Sequence, residues 1–109
     1  MKLIGSNDAF KIVIARGFFS RAAGLLFKEK LKSKECLLIT PCQSIHTIGM
    51  RYNIDVVFID ALGYVTDIHY EVKPFRVINA SREACTVVEF FGGTLAQYQL
   101  TINKVLFIK

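Results

Sequence analysis

The chain has no tryptophan, and only two prolines, two histidines, two methionines and three cysteines in 109 residues. With two prolines and no Pro-, Gly- or Ser-rich run there is no linker, so one domain over residues 1–109 is expected. No apolar run exceeds about four residues, Ile12–Ala15 being typical, which excludes a transmembrane helix and makes a membrane partner unexpected. There is no CxxC pair, and three is an odd number, so at least one thiol stays reduced and a disulfide scaffold is excluded. That cysteine usage suits a reducing compartment. Met1–Phe10 lacks the apolar stretch of about seven residues that a signal peptide needs, so the cytoplasm is the expected location. Hydrophobic residues at 52% and charged residues at 21% exclude disorder and leave enough apolar surface for a core built without metal or disulfide.

Acidic residues are scarce as well, nine against fourteen basic, for a net charge of +5. The excess lies in residues 1–34, with eight basic side chains and two acids (Asp8 and Glu29). Such a segment can attract nucleic acid or another polyanion. Lys28–Lys34, however, alternates lysine with other residues and has no arginine or aromatic to stack on bases. It reads as a solvated loop, which argues against a nucleic-acid partner.

What is abundant is strand-forming side chains. Ile, Val, Thr, Phe and Tyr supply 40 of the residues, a strong β bias. Strands are expected over 10–15, 35–40, 54–60, 64–72, 84–91 and 104–108. Apolar residues on both faces of 54–60 (Ile54, Val56 and Phe58; Val57 and Ile59) mark a central strand. Tyr64–Val72 alternates, with Val65, Asp67, His69 and Glu71 on one face, and reads as a hairpin arm with one wet side. Asp60-Ala-Leu-Gly63 is the turn between them. Phe18, Phe19, Ala22, Ala23, Leu26 and Phe27 fall at helical spacing, predicting a short helix over 18–27 despite Gly24. Thr94-x-x-Gln97 has capping-box spacing and predicts a second over 95–99. Residues 42–53 and 75–82 read as irregular. The expected fold is mainly β (β-rich α+β): a small antiparallel barrel or sandwich with one or two short helices.

The densest polar stretch runs from Cys42 to Asp60 and joins a thiol, an imidazole, a guanidinium and two carboxylates. Within it, His46-Thr47-Ile48-Gly49-Met50-Arg51, then Ile54-Asp55-Val56-Val57-Phe58-Ile59-Asp60, then Gly63 and Val65, closely resemble the domain of unknown function 192 family. That family has His-Thr-Phe-Gly-Met-Arg in the first element, so Ile48 replaces its Phe. Arg21-Ala-Ala-Gly24-Leu25-Leu26, Pro74 with Arg76, Glu89, and Gly93-Thr94 match its other elements. Asn103-Lys104 departs from its Gly-Asp. The resemblance spans roughly residues 16–106. It implies a compact β-rich fold and implies no activity.

The residues themselves leave two function classes open. Cys42, His46, Thr47, Arg51 and Asp55 are candidate ligand-binding residues lining a polar pocket at the 42–55 loop. That pocket suits a small polar or anionic ligand, or a protein segment, bound without turnover; arginine recognises anions through its bidentate fork. The alternative is a small hydrolase or metal-assisted enzyme using Cys42, His46 and a carboxylate. Cys42 and His46 alone do not make a zinc site, so no metal or cofactor is expected. Asp55, set among Ile54, Val56 and Val57, must either pair with a cation or accept backbone N–H bonds. A structural ion-pair set of Arg21, Asp55, Arg76 and Glu89, with Arg51 as a further cation, is the favoured reading. Alternation turns Glu89 inward with Val87 and Phe91, where pairing is favoured over proton transfer. His69 reads as a surface histidine. The strand over 104–108 is an edge where copies could pair, and the oligomeric state is open.

Overall fold

The computed structural model describes residues 1–16 and 34–108, without the side chains of Ala15 and Arg16. The expected helix over 18–27 and Arg21 lie outside the described residues. Those residues form β1 (Lys2–Leu3), β2 (Lys11–Arg16), β3 (Glu35–Thr40), β4 (Ser44–His46), β5 (Ile54–Ile59), β6 (Val65–Val72), β7 (Val77–Asn79), β8 (Thr86–Phe91) and β9 (Phe107–Ile108). A single 3-10 turn covers Leu95–Gln97.

Five strands build the main sheet in the order β2-β3-β8-β5-β6, and β4-β7 and β1-β9 form separate two-stranded ribbons. The fold is mainly β, as expected, but among the described residues no sheet closes into a barrel. Nor is it purely antiparallel: β2 runs parallel to β3, from Lys11 opposite Glu35 to Arg16 opposite Thr40. Apolar residues on both faces of β5 and β8 explain the layering, because each face of the sheet then needs cover. One face carries Leu37, Ile39, Ile54, Val56, Phe58 and Val87 and is covered by Ile45 of β4 and Ile78 of β7. The other carries Cys36, Val57, Val88 and Phe90 and is covered by Leu3 of β1 and Phe107 of β9. β5 thus packs its two sets of side chains into two different cores.

The β6 alternation is broken by two register shifts. Phe58 pairs with Asp67 but Ile59 with Val65; Val56 pairs with His69 but Ile54 with Val72. Each inserts an extra residue into β6, a β-bulge. The second places Glu71 at φ 47°. As a result Val65, expected on the face of Asp67 and His69, packs into the second core opposite them, and Val72, expected on the other face, packs into the first core on their side. The β4-β7 ribbon formed where irregular chain was expected, since its strands are each three residues long and give little period to read, while β9 keeps only the last two residues of the strand expected over 104–108.

Gly92 sits where β8 meets the start of β5. Its N–H donates to Asn53 O at 2.9 Å, and a Cβ there would lie 2.7 Å from that carbonyl oxygen. Lys34 is not simply solvated. It bridges Asp8 at 3.1 Å and donates to the Tyr98 hydroxyl at 3.1 Å, while Tyr98 donates to Asp8.

Candidate functional site

Between β6 and β7 lies an open groove of about 620 Å³, lined by residues 68–73 on one side and 76–78 on the other. Ile68, Val72, Val77 and Ile78 give it apolar walls, and Lys73, Arg76, Glu71 and His69 give it charge and polarity. β6 is the edge of the five-stranded sheet. Tyr70, Phe75 and Val77 stand exposed around it.

Thr47 builds this wall from behind. Its hydroxyl is buried, donates to Lys73 O at 2.7 Å and accepts from Arg76 N at 2.8 Å. Its own N–H donates to Arg76 O at 2.8 Å, and its carbonyl accepts from Phe75 N at 3.2 Å. One threonine therefore fixes the main chain that carries both groove cations. Of the five candidates at the 42–55 loop, none lines the groove itself; Thr47 holds the main chain of Lys73 and Arg76, Asp55 holds that of Glu71, and His46 pairs with Val77 in the β4-β7 ribbon.

Asp55 is fully buried and its carboxyl is a hub for backbone donors. It accepts from Glu71 N at 2.8 Å, Gly93 N at 3.2 Å and Leu95 N at 2.8 Å. It ties the β6 bulge to the turn after β8. Leu95 starts the 3-10 turn, so Asp55 caps it from forty residues away. The expected capping box does not form: Thr94 makes no side-chain cap, and Gln97 Nε2 instead donates to Thr94 O at 3.2 Å. Of the two ways to satisfy Asp55, N–H donation is the one observed, and among the described residues neither Arg51 nor Arg76 forms an ion pair with it. Asp60 accepts Leu62 N and Tyr64 N, each at 2.9 Å, as the turn reading requires.

Glu89 points into the first core from the middle strand. It lies opposite Leu37 on one side and Val56 on the other. It is 4% exposed, and no described cation pairs with it. Burial pushes its carboxyl up to about 7. The register continues through Val56 to His69, so Glu89 and His69 share a face two strand spacings apart, roughly 10 Å. That is too far for a direct proton transfer. His69 is half-buried rather than free in solvent. It sits edge-on to Phe58 at 6.5 Å, and its Nε2 is buried with no partner among the described residues. Asp67 beside it is raised by burial but more strongly lowered by bonds from Thr66 and from Ser81.

The sequence profile described as "DUF192: Uncharacterized ACR" matches residues 2–108. The chain belongs to the domain of unknown function 192 family. Two solved structures share this fold. A protein of unknown function from Novosphingobium aromaticivorans DSM 12444 is 22% identical, with a TM-score of 0.72 over 81% of this chain and 67% of its own. A protein from Sinorhizobium meliloti 1021, described as a "putative transcription regulator", is 20% identical, with a TM-score of 0.77 over 90% of this chain and 81% of its own. No curated protein matches the chain.

The DUF192 motif residues divide in two by environment. Thr47, Asp55 and Asp60 spend their polar atoms on turns and edges, and Met50 is packing. His46, Ile48 and Arg51 are exposed. Cys42 is buried in the first core, and its thiol donates to Ser44 O at 3.1 Å. No described hydrogen bond joins Cys42, His46 and a carboxylate, and no cluster of three metal-ligating side chains occurs among the described residues. Lys73, His69, Tyr70 and Val77 were not singled out from the sequence as groove residues. Their signal was an exposed apolar pair, Phe75 and Val77, beside two cations in a stretch punctuated by Pro74.

Proposed function

We propose that this domain is a non-enzymatic binding module whose recognition surface is the groove between β6 and β7, and that its ligand carries negative charge. The observation that carries the reading is Thr47 pinning the main chain of both Lys73 and Arg76 at the groove wall. Cations on fixed backbone are preorganised for an anion, which lowers the ordering cost of binding. The groove's volume falls within the usual range of ligand sites, and its lining sets apolar side chains beside Lys73 and Arg76. The description of the Sinorhizobium meliloti protein as a regulator agrees with binding at the level of class only.

The test is a titration of the ¹⁵N-labelled protein with citrate, against sodium chloride at matched ionic strength. Shifts confined to residues 68–78, and weakened roughly tenfold in Lys73→Glu with Arg76→Glu, are expected. Shifts that are absent, or that follow salt alone, overturn the reading.

A further inference from the structure

We infer that the groove's occupant is an extended, acidic protein segment that adds to the outer edge of β6 as a short strand; this rests on the anion-binding reading above. The edge of β6 is covered at one end only. Val65 N donates to Lys104 O at 2.7 Å and Asn103 N to Val65 O at 2.8 Å, so residues 103–105 close that end. Ser81 then engages the Asp67 carboxyl through its N–H and its hydroxyl. From Ile68 to Tyr70 nothing among the described residues pairs with the outward main chain, and this is where the groove lies. An open strand edge is a template for a further strand.

The bulge at Tyr70–Glu71 sets the length of the added ladder. A regular strand can follow β6 over Ile68–Tyr70, roughly 10 Å, before Glu71 at φ 47° turns the edge away. Beyond the bulge stand Lys73 and Arg76, against one acid, Glu71. The guest therefore pairs over about three residues and carries its acids next to them. Tyr70, Phe75 and Val77, respectively 49%, 71% and 67% exposed, flank this path and suit alternate apolar side chains of the guest. A small anion would engage the cations and leave both the edge and these apolar groups uncovered. A second copy of this chain is disfavoured. Antiparallel β6-to-β6 pairing about Tyr70 would need Asp67 to face the partner's lysine, but Asp67 is already held by Thr66 and Ser81.

The probes are blocked peptides of four alternating Thr and Val followed by three Glu, the same sequence reversed, N-methylated forms of each, and forms with Gln for Glu. Binding is followed by amide shifts and by hydrogen exchange at 68–70. Expected are slowed exchange at the outward amides of Ile68–Tyr70, binding roughly tenfold weaker after N-methylation removes two main-chain bonds, and loss of binding with Gln or with Lys73→Glu and Arg76→Glu. If the N-methylated or Gln peptides bind equally well while citrate still shifts 68–78, strand addition of an acidic segment is overturned and the anion site stands. If neither peptides nor citrate shift these residues, both readings fail. Concentration-dependent dimers with protection at 68–70 and no peptide effect would make a second copy the occupant and overturn the inference.

Discussion

Glu89→Gln tests the reading of the first core most directly. Gln has the shape of the protonated acid and cannot ionise. Glu89 is buried on the middle strand between Leu37 and Val56, with no described cation to hold its charge. Burial alone moves it from 4.5 to about 7 on folding. The unfolded chain gives up this proton near pH 4.5, while the folded protein keeps it until about 7. Its contribution is therefore complete below pH 4.5, falls as the pH rises toward 7 and is flat above. At about 1.4 kcal/mol per pH unit, the loss across that window is about 3 kcal/mol. Urea unfolding from about pH 4 to pH 8.5 should show this decline in the wild type and a flattened profile in Glu89→Gln. The two proteins should agree within about 1 kcal/mol at low pH, and the variant should be more stable by about 3 kcal/mol at high pH. A variant less stable than wild type at pH 8.5 refutes the reasoning, because it would mean that the carboxylate is held by a cation.

Three further outcomes follow from the same geometry. Asp55→Ala leaves three N–H donors without their acceptor, that of Leu95 buried and those of Glu71 and Gly93 partly so, and should destabilise by about 3–5 kcal/mol, with Asp55→Asn costing about half; near-wild-type unfolding of Asp55→Ala would remove the hub. Thr47→Val should cost about 2–3 kcal/mol and speed hydrogen exchange at Arg76 and Phe75; unchanged exchange there would show that the hydroxyl does not pin the groove wall. Burial pushes the Cys36 thiol up to about 12, so a thiol reagent at pH 8 should leave Cys36 unmodified in the folded protein and react after unfolding; labelling at the rate of an exposed thiol would contradict its burial.

The strands legible in the sequence were those long enough to show a period. The expected strand over 35–40 is β3 residue for residue, and 54–60 differs from β5 by one residue. The Asp60 turn was legible because an Asx side chain bonds its own following backbone, a local event. The Asp55 requirement was legible too, since a carboxyl among Ile54, Val56 and Val57 needs partners wherever they come from. Which partners was not, because they arrive from Glu71, Gly93 and Leu95, brought there by strand pairing. The clean alternation of β6 misled for a related reason. Period two assumes an unbroken ladder, and two bulges set by the partner strand shift the faces.

By itself, then, the sequence determined the β-rich class, the central place of β5 and the motif that identifies the family, because each depends on side-chain type along contiguous chain. Only the tertiary structure decided the parallel β2–β3 pair, the open sheet with a ribbon on each face, and the groove. The groove needs a sheet edge, and whether a strand is an edge depends on what fails to pair with it, not on its own residues. Thr47 shows the same division: its hydroxyl was visible as a candidate, but the chain it holds lies 26 to 29 residues away.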